Sequence, residues 1–161
     1  MVKVQILPNG SMLFEGVGDP LYRMLCGIRE PSECGDPRVE SRFFPVPTGE
    51  EDAEALCEDW KAFVQPDLHN DFQSAREAVS ADLRRAGKNP DGSRSFHIPP
   101  AHIDHWLSAL NQARLALAEL HQFSERDMSR SPGDIDDPRE YALMQMGIYG
   151  TMQEWLVGLL D

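Results

Sequence analysis

The chain is short of cysteine, of positive charge and of long apolar runs, and each shortage removes a class of function. Its three cysteines, Cys26, Cys34 and Cys57, are odd in number, well separated and without a CxxC pair. Neither a disulfide framework nor a zinc site is expected, and thiols in a reducing cytosol are. Lysine and arginine total 15 against 27 aspartates and glutamates, a formal net charge of -12. With no basic stripe to override it, that charge repels a phosphate backbone, so nucleic acid is not an expected partner. The amino-terminal MVKVQILPNG lacks a signal peptide's apolar stretch, and no later run approaches the ~20 apolar residues that cross a bilayer. The expectation is a soluble cytoplasmic protein without a membrane partner. GxSxG, GxGxxG and Walker A patterns are absent, and no cysteine stands beside a local histidine or an oxyanion-type glycine turn. No catalytic residue and no cofactor is predicted.

What is present is architecture. A chain of 161 residues, 41% of them hydrophobic, fills one core, so residues 1–161 are expected to form a single domain. Val2 to Leu7 alternates, Pro8 to Ser11 supplies turn chemistry, and Met12 to Glu15 resumes extended character, which predicts a β-hairpin. Asp19 and Pro20 have the form of a cap and first helical residue for a short helix stopped at Gly27. Arg29 to Pro47, with Pro31, Pro37, Pro45 and Pro47, predicts a loop or tether. Thr48 and Glu51 fit a capping box for a helix whose apolar face is Ala53, Leu56, Cys57, Trp60, Phe63 and Val64. Pro66 is expected to end or bend it before a second amphipathic run from Leu68 to Ala86, the two packing into the same core. Lys88 to Ser95 reads as a polar turn, and Ser95 to Ile98 as a third strand beside the hairpin.

Two long helices organise the rest. From Pro99 to Phe123, residues Ile103, Trp106, Leu107, Leu110, Ala113, Leu117 and Leu120 recur at three- and four-residue steps and form one apolar stripe. Ser124 to Pro138 is polar and broken by Pro132 and Gly133, a surface loop. From Pro138 to Leu160, Tyr141, Met144, Ile148, Met152, Trp155 and Leu159 form a stripe that Leu156 and Leu160 widen, which predicts deep burial. Gly147, Gly150 and Gly158 fit either close approach of a neighbouring backbone or drift on an unconstrained outer face. The fold class is therefore α+β: a mainly helical domain of five helices, two long and central, with a small N-terminal hairpin and room for a third strand. A homodimer contact through the Met-, Gly- and Trp-rich last helix is left open.

One residue breaks the apolar pattern. Arg114 falls on the stripe, seven places after Leu107 and three before Leu117. A guanidinium turned toward a core requires a shell of acceptors. Asn111 one turn earlier and Gln153 and Glu154 from the last helix are the natural members, with Glu15 and Gln145 as alternatives. Such a network either fixes the register of the helix pair or, in a cleft, holds an anion or a partner's C-terminus. Asn111, Arg114, Gln153 and Glu154 are accordingly the candidate binding residues. The only metal-like cluster is His97, His102, Asp104 and His105. HIDH spaces its histidines at i and i+3 without a further ligand, so solvated first-turn histidines are expected and no metal.

Two motifs carry a family resemblance. Trp106, Leu110, Asn111, Arg114, Leu115 and Leu117 spell WxxxLNxxRLxL, and Tyr149, Gln153, Glu154 and Leu156 spell YxxxQExL. Together they resemble the uncharacterised bacterial domain of unknown function family 2017, whose members are often encoded beside the adaptor of the Clp protease. The match is best over the last two helices. Asp36-Pro37, Arg42, Pro45 and Asp52 look like a looser version of the family's middle segment. The resemblance implies a fold and, as partner, the Clp adaptor or protease. It implies no chemistry. The function expected is a noncatalytic cytosolic interaction or regulatory module, the alternative being a small-anion-binding protein or an enzyme using a cleft around Arg114.

Overall fold

The computed structural model describes residues 1–45 and 54–158. The capping box at Thr48 and Glu51, and Ala53, Leu159 and Leu160, lie outside them. The hairpin forms as expected, β1 (Lys3–Ile6) against β2 (Met12–Val17). Its turn is closed by Leu7 N–H on the Ser11 carbonyl at 2.8 Å and by Ser11 N–H on Asn9 Oδ1 at 2.9 Å. Gly10 supplies the positive φ of 85° that this turn needs. The third strand is present as β4 (Arg94–Ile98), and the polar turn before it contains an unforeseen fourth, β3 (Gly87–Lys88). The sheet is antiparallel in the order β1-β2-β4-β3. Alternation turns Met12, Phe14, Phe96 and Ile98 inward, and a bulge between Phe14 and Val17 brings Val17 to the same side; Phe14 stacks on Phe96 and Phe96 on Trp106.

Eight α-helical segments occur among the described residues where five were expected. The first, α1 (Asp19–Cys26), is capped by Gly18, with Asp19 and Pro20 inside it. Two prolines of the expected loop, Pro31 and Pro37, instead lie in the first turns of short helices, α2 (Arg29–Ser32) and α3 (Pro37–Phe43), while Pro47 lies outside the described residues. Proline costs nothing in a first turn, and Asp36 caps α3 by accepting the Arg38 N–H at 2.8 Å. Pro66 does not break the next rod. α4 (Glu54–Asp59), a wide π turn over Trp60–Val64 and α5 (Gln65–Arg84) follow one another without interruption. The Gln65 N–H reaches five residues back to the Trp60 carbonyl, and this widened turn absorbs the missing donor next to it. No residue of α4 is buried, and Leu56, Phe63 and Val64 are exposed. The expected core packing of this first amphipathic helix is thus corrected. α5 does pack, through Ala75, Val79 and Leu83.

The organising helix is α6 (Ile103–His121), entered by a 3-10 turn at Pro100–His102. It buries Ile103, Trp106, Leu110, Ala113 and Leu117 as the stripe predicts, and α2, α3, α5 and α8 (Pro138–Gly158) all pack on it. The loop between α6 and α8 contains a single-turn α7 (Glu125–Met128) with a reciprocal Ser124/Asp127 capping box. Its far end is held by Arg130, which bonds both Glu140 oxygens at 2.6 and 2.8 Å.

The last helix turns a different face inward. α8 buries Ala142, Gln145, Tyr149, Met152 and Leu156, whereas Tyr141, Met144 and Ile148 are only half-buried and Trp155 is exposed. Of the predicted stripe Met152 and the widening Leu156 are buried as expected, while Tyr141, Met144, Ile148 and Trp155 lie at the edge of the core. Both faces are apolar, so spacing alone could not choose between them.

Candidate functional site

Arg114 lies half-buried between α6 and α8, its Nη1 donating to Gln153 Oε1 at 2.8 Å. The guanidinium also covers Gly150, whose absent Cβ would stand 3.4 Å from Arg114 Cζ. Gly150 thus makes room for a side chain, not for a neighbouring backbone, and a Cβ at Gly147 or Gly158 would meet nothing within 4 Å. Of the proposed shell only Gln153 is engaged. Asn111 and Glu154 are exposed, Glu15 accepts from Gln5, and Gln145 donates to the Tyr149 hydroxyl. Adjacent residues on a helix point about 100° apart, so Gln153 reaching Arg114 excludes Glu154. Arg114 Nε is buried without a partner.

Two charged groups are buried far more deeply. Arg76 on α5 is 7% exposed and bridges Glu33 Oε1 (2.9 Å from Nε) and Gln112 Oε1 (2.7 Å from Nη1). Gln112 in turn donates to the Phe72 carbonyl and Ser108 Oγ. Arg29 completes the chain by donating to Glu33 at 2.9 Å and to Ser80. Burial pushes the Glu33 carboxyl up, but the hydrogen bonds and charges of Arg29 and Arg76 together outweigh it and bring it below its ordinary value.

Asp82, near the end of α5, is 1% exposed. It accepts the Trp106 indole N–H at 2.9 Å, the His102 Nδ1 at 2.9 and 3.0 Å and an Arg85 Nη1 at 3.1 Å. His102 is therefore held by a buried carboxylate, which corrects its expected place among solvated first-turn histidines. The His105 ring stands beside that of His102, centroids 6.0 Å apart. Among the described residues no group of three or more His, Cys, Asp or Glu side chains could hold a metal ion.

Sequence reasoning missed Arg76 and Asp82, although the signal was the one that found Arg114. Arg76 stands four places after Phe72 and three before Val79, and Asp82 three after Val79, on the apolar side of α5.

A cleft of about 660 Å³ runs between α1 and α8, lined by Leu21, Met24, Tyr141, Met144, Ile148 and Ile135. Leu21 and Ile148 also line a neighbouring cleft of about 280 Å³ that ends at Trp155. Met144 and Ile148 further line one of about 260 Å³ reaching Met128. All three clefts contain Ile148, so they form one apolar depression along the outer side of α8. The charged residues of the largest are Asp19 and Arg23, which face each other at 3.6 Å. Arg114 lines none of these clefts.

The architecture is that of a small helical α+β protein whose two deeply buried charges, Arg76 and Asp82, are held by protein groups and whose clefts along α8 are apolar. A family profile described as "Domain of unknown function (DUF2017)" matches residues 10–160, and the chain belongs to that family. No curated protein and no solved structure matches it.

Proposed function

We propose that this protein is a noncatalytic interaction module of the cytoplasm that binds a protein partner along the α1–α8 cleft. The observation that carries this reading is the stripe Tyr141, Met144, Ile148 and Trp155, an apolar helix face that the described residues cover only in part. Methionines at Met24 and Met144 give the cleft an adaptable lining. The deep charges support the noncatalytic part: Arg76 and Asp82 spend their hydrogen bonds on protein groups. The exposed thiols of Cys26 and Cys34 suit a reducing compartment, and no helix among the described residues is long and apolar enough to cross a membrane. From the family resemblance, the Clp adaptor and the Clp protease are the partners to test first. Coexpression with each at low salt should yield a complex that Ile148→Glu abolishes. Absence of any complex would remove the Clp link, and a complex indifferent to Ile148→Glu would remove the cleft.

A second reading, an anion or a partner's carboxylate held by Arg114, is favoured by the buried, unpartnered Nε. Inorganic phosphate should then raise the melting temperature of the wild type and not of Arg114→Met. Equal responses would dismiss it.

A further inference from the structure

We infer that the α1–α8 cleft takes a basic amphipathic helix, an inference that rests on the interaction-module reading and gives the partner its chemistry. The first argument is shape. Tyr141, Met144, Ile148 and Trp155 recur at helical steps over 14 residues of α8, about 21 Å at 1.5 Å per residue. Side chains, not a free strand edge, line this depression. A rod with its own stripe of apolar residues is the element that lays such a length against them.

Charge at the rim decides the sign. The cations there are already neutralised: Arg23 faces Asp19, and Arg130 is held by both oxygens of Glu140. The acids are not. Ile135, half-exposed in the cleft wall, is flanked by Asp134 and Asp136, and neither forms an ion pair among the described residues. Two uncompensated aspartates beside Ile135, at one side of an apolar floor, fit lysines or arginines flanking an apolar stripe. The net charge of -12 adds long-range attraction for such a partner. A second copy of this chain would set equal rims and equal net charges against each other, so the occupant is a different molecule.

The test uses the full chain and a fluorescein-labelled synthetic helix of leucine and lysine, about 18 residues long, followed by fluorescence anisotropy, with a leucine and glutamate helix of the same pattern as comparator. The lysine helix should bind and the glutamate helix should not. Ile148→Glu should weaken binding about tenfold or more, with Ile135→Ser as a second variant should the first fail to fold. Asp134→Asn with Asp136→Asn should weaken it about threefold. Asp67→Asn with Asp71→Asn, exposed acids of α5 outside the cleft, should leave it unchanged. Equal binding of both helices, or no effect of the Asp134 and Asp136 changes, would overturn the basic helix and leave the cleft reading standing. Binding indifferent to Ile148→Glu and Ile135→Ser would overturn both. A wild-type dimer that Ile148→Glu dissociates would make a second copy the occupant and overturn the inference, as would failure of the lysine helix to bind.

Discussion

The Trp106 indole N–H donates to Asp82 Oδ2 at 2.9 Å, tying the first turns of α6 to the end of α5 with both groups essentially sealed from solvent. Neither group could be buried without the other or a substitute. An indole donor or a carboxylate left unpaired in such a place costs far more than the pair yields.

Asp82→Ala should therefore destabilise strongly, leaving the Trp106 N–H unpaired and His102 and Arg85 without their common acceptor. The expected loss is about 2–3 kcal/mol, measured by urea unfolding. Adding Trp106→Phe should cost less than the sum of the two single changes, because the orphaned donor disappears with it. Strict additivity would mean that the hydrogen bond has no energetic role.

For the second buried charge, Arg76→Met should cost about 1–3 kcal/mol by stranding Gln112 Oε1, and Arg76→Met with Gln112→Leu should recover much of that. The Glu33 carboxyl adds a pH signature. Its folded pKa lies below the ordinary 4.5, so its stabilising share is present above pH 4.5 and is lost as pH falls through the lower folded value. Urea midpoints between pH 6 and 3 should fall less steeply for Glu33→Gln than for the wild type; an unchanged slope would exclude Glu33 as a contributor.

Tyr149 places its hydroxyl against the Met24 carbonyl at 2.6 Å and accepts from Gln145 at 3.1 Å. Tyr149→Phe strands both partners and should cost about 1–3 kcal/mol. Burial raises this hydroxyl well above its ordinary 10.0, only partly offset by the bond from Gln145. The unfolded chain thus releases the proton first, and stability present below pH 10 is lost above it. The loss between pH 9 and 11 should be smaller in Tyr149→Phe, a difference readable in thermal unfolding at each pH.

Glycine replacements separate space from backbone demand. A Cβ at Gly147 meets nothing within 4 Å, and at Gly150 only the flexible Arg114 guanidinium at ordinary contact distance. Each alanine should stabilise α8 by about 0.5–1 kcal/mol. Gly16 is the opposite case: its φ is 71° at the bulge in β2, and a Cβ would stand 2.6 Å from the Met1 carbonyl oxygen. Gly16→Ala should lower the melting temperature, while Gly147→Ala raises it.

The sequence by itself determined those features whose cause is local. Alternation and the Pro-Asn-Gly turn made the hairpin, three- and four-residue spacing chose the buried face of α6, and the charge balance set the sign of the surface. Tertiary structure decided wherever local chemistry left two answers open. α8 is apolar on more than one side, and only its fit against the rest of the fold selected Ala142 and Tyr149 for the core, leaving Met144 and Ile148 to line a cleft. Gln153 and Glu154 were equal candidates for Arg114 until the rotation of α8 aimed one of them inward. Arg76 and Asp82 lie on an apolar stripe that predicts burial but names no partners, because Gln112, Glu33, Trp106 and His102 arrive from other elements. Periodicity says which way a side chain points. What stands opposite is settled only when the elements are packed.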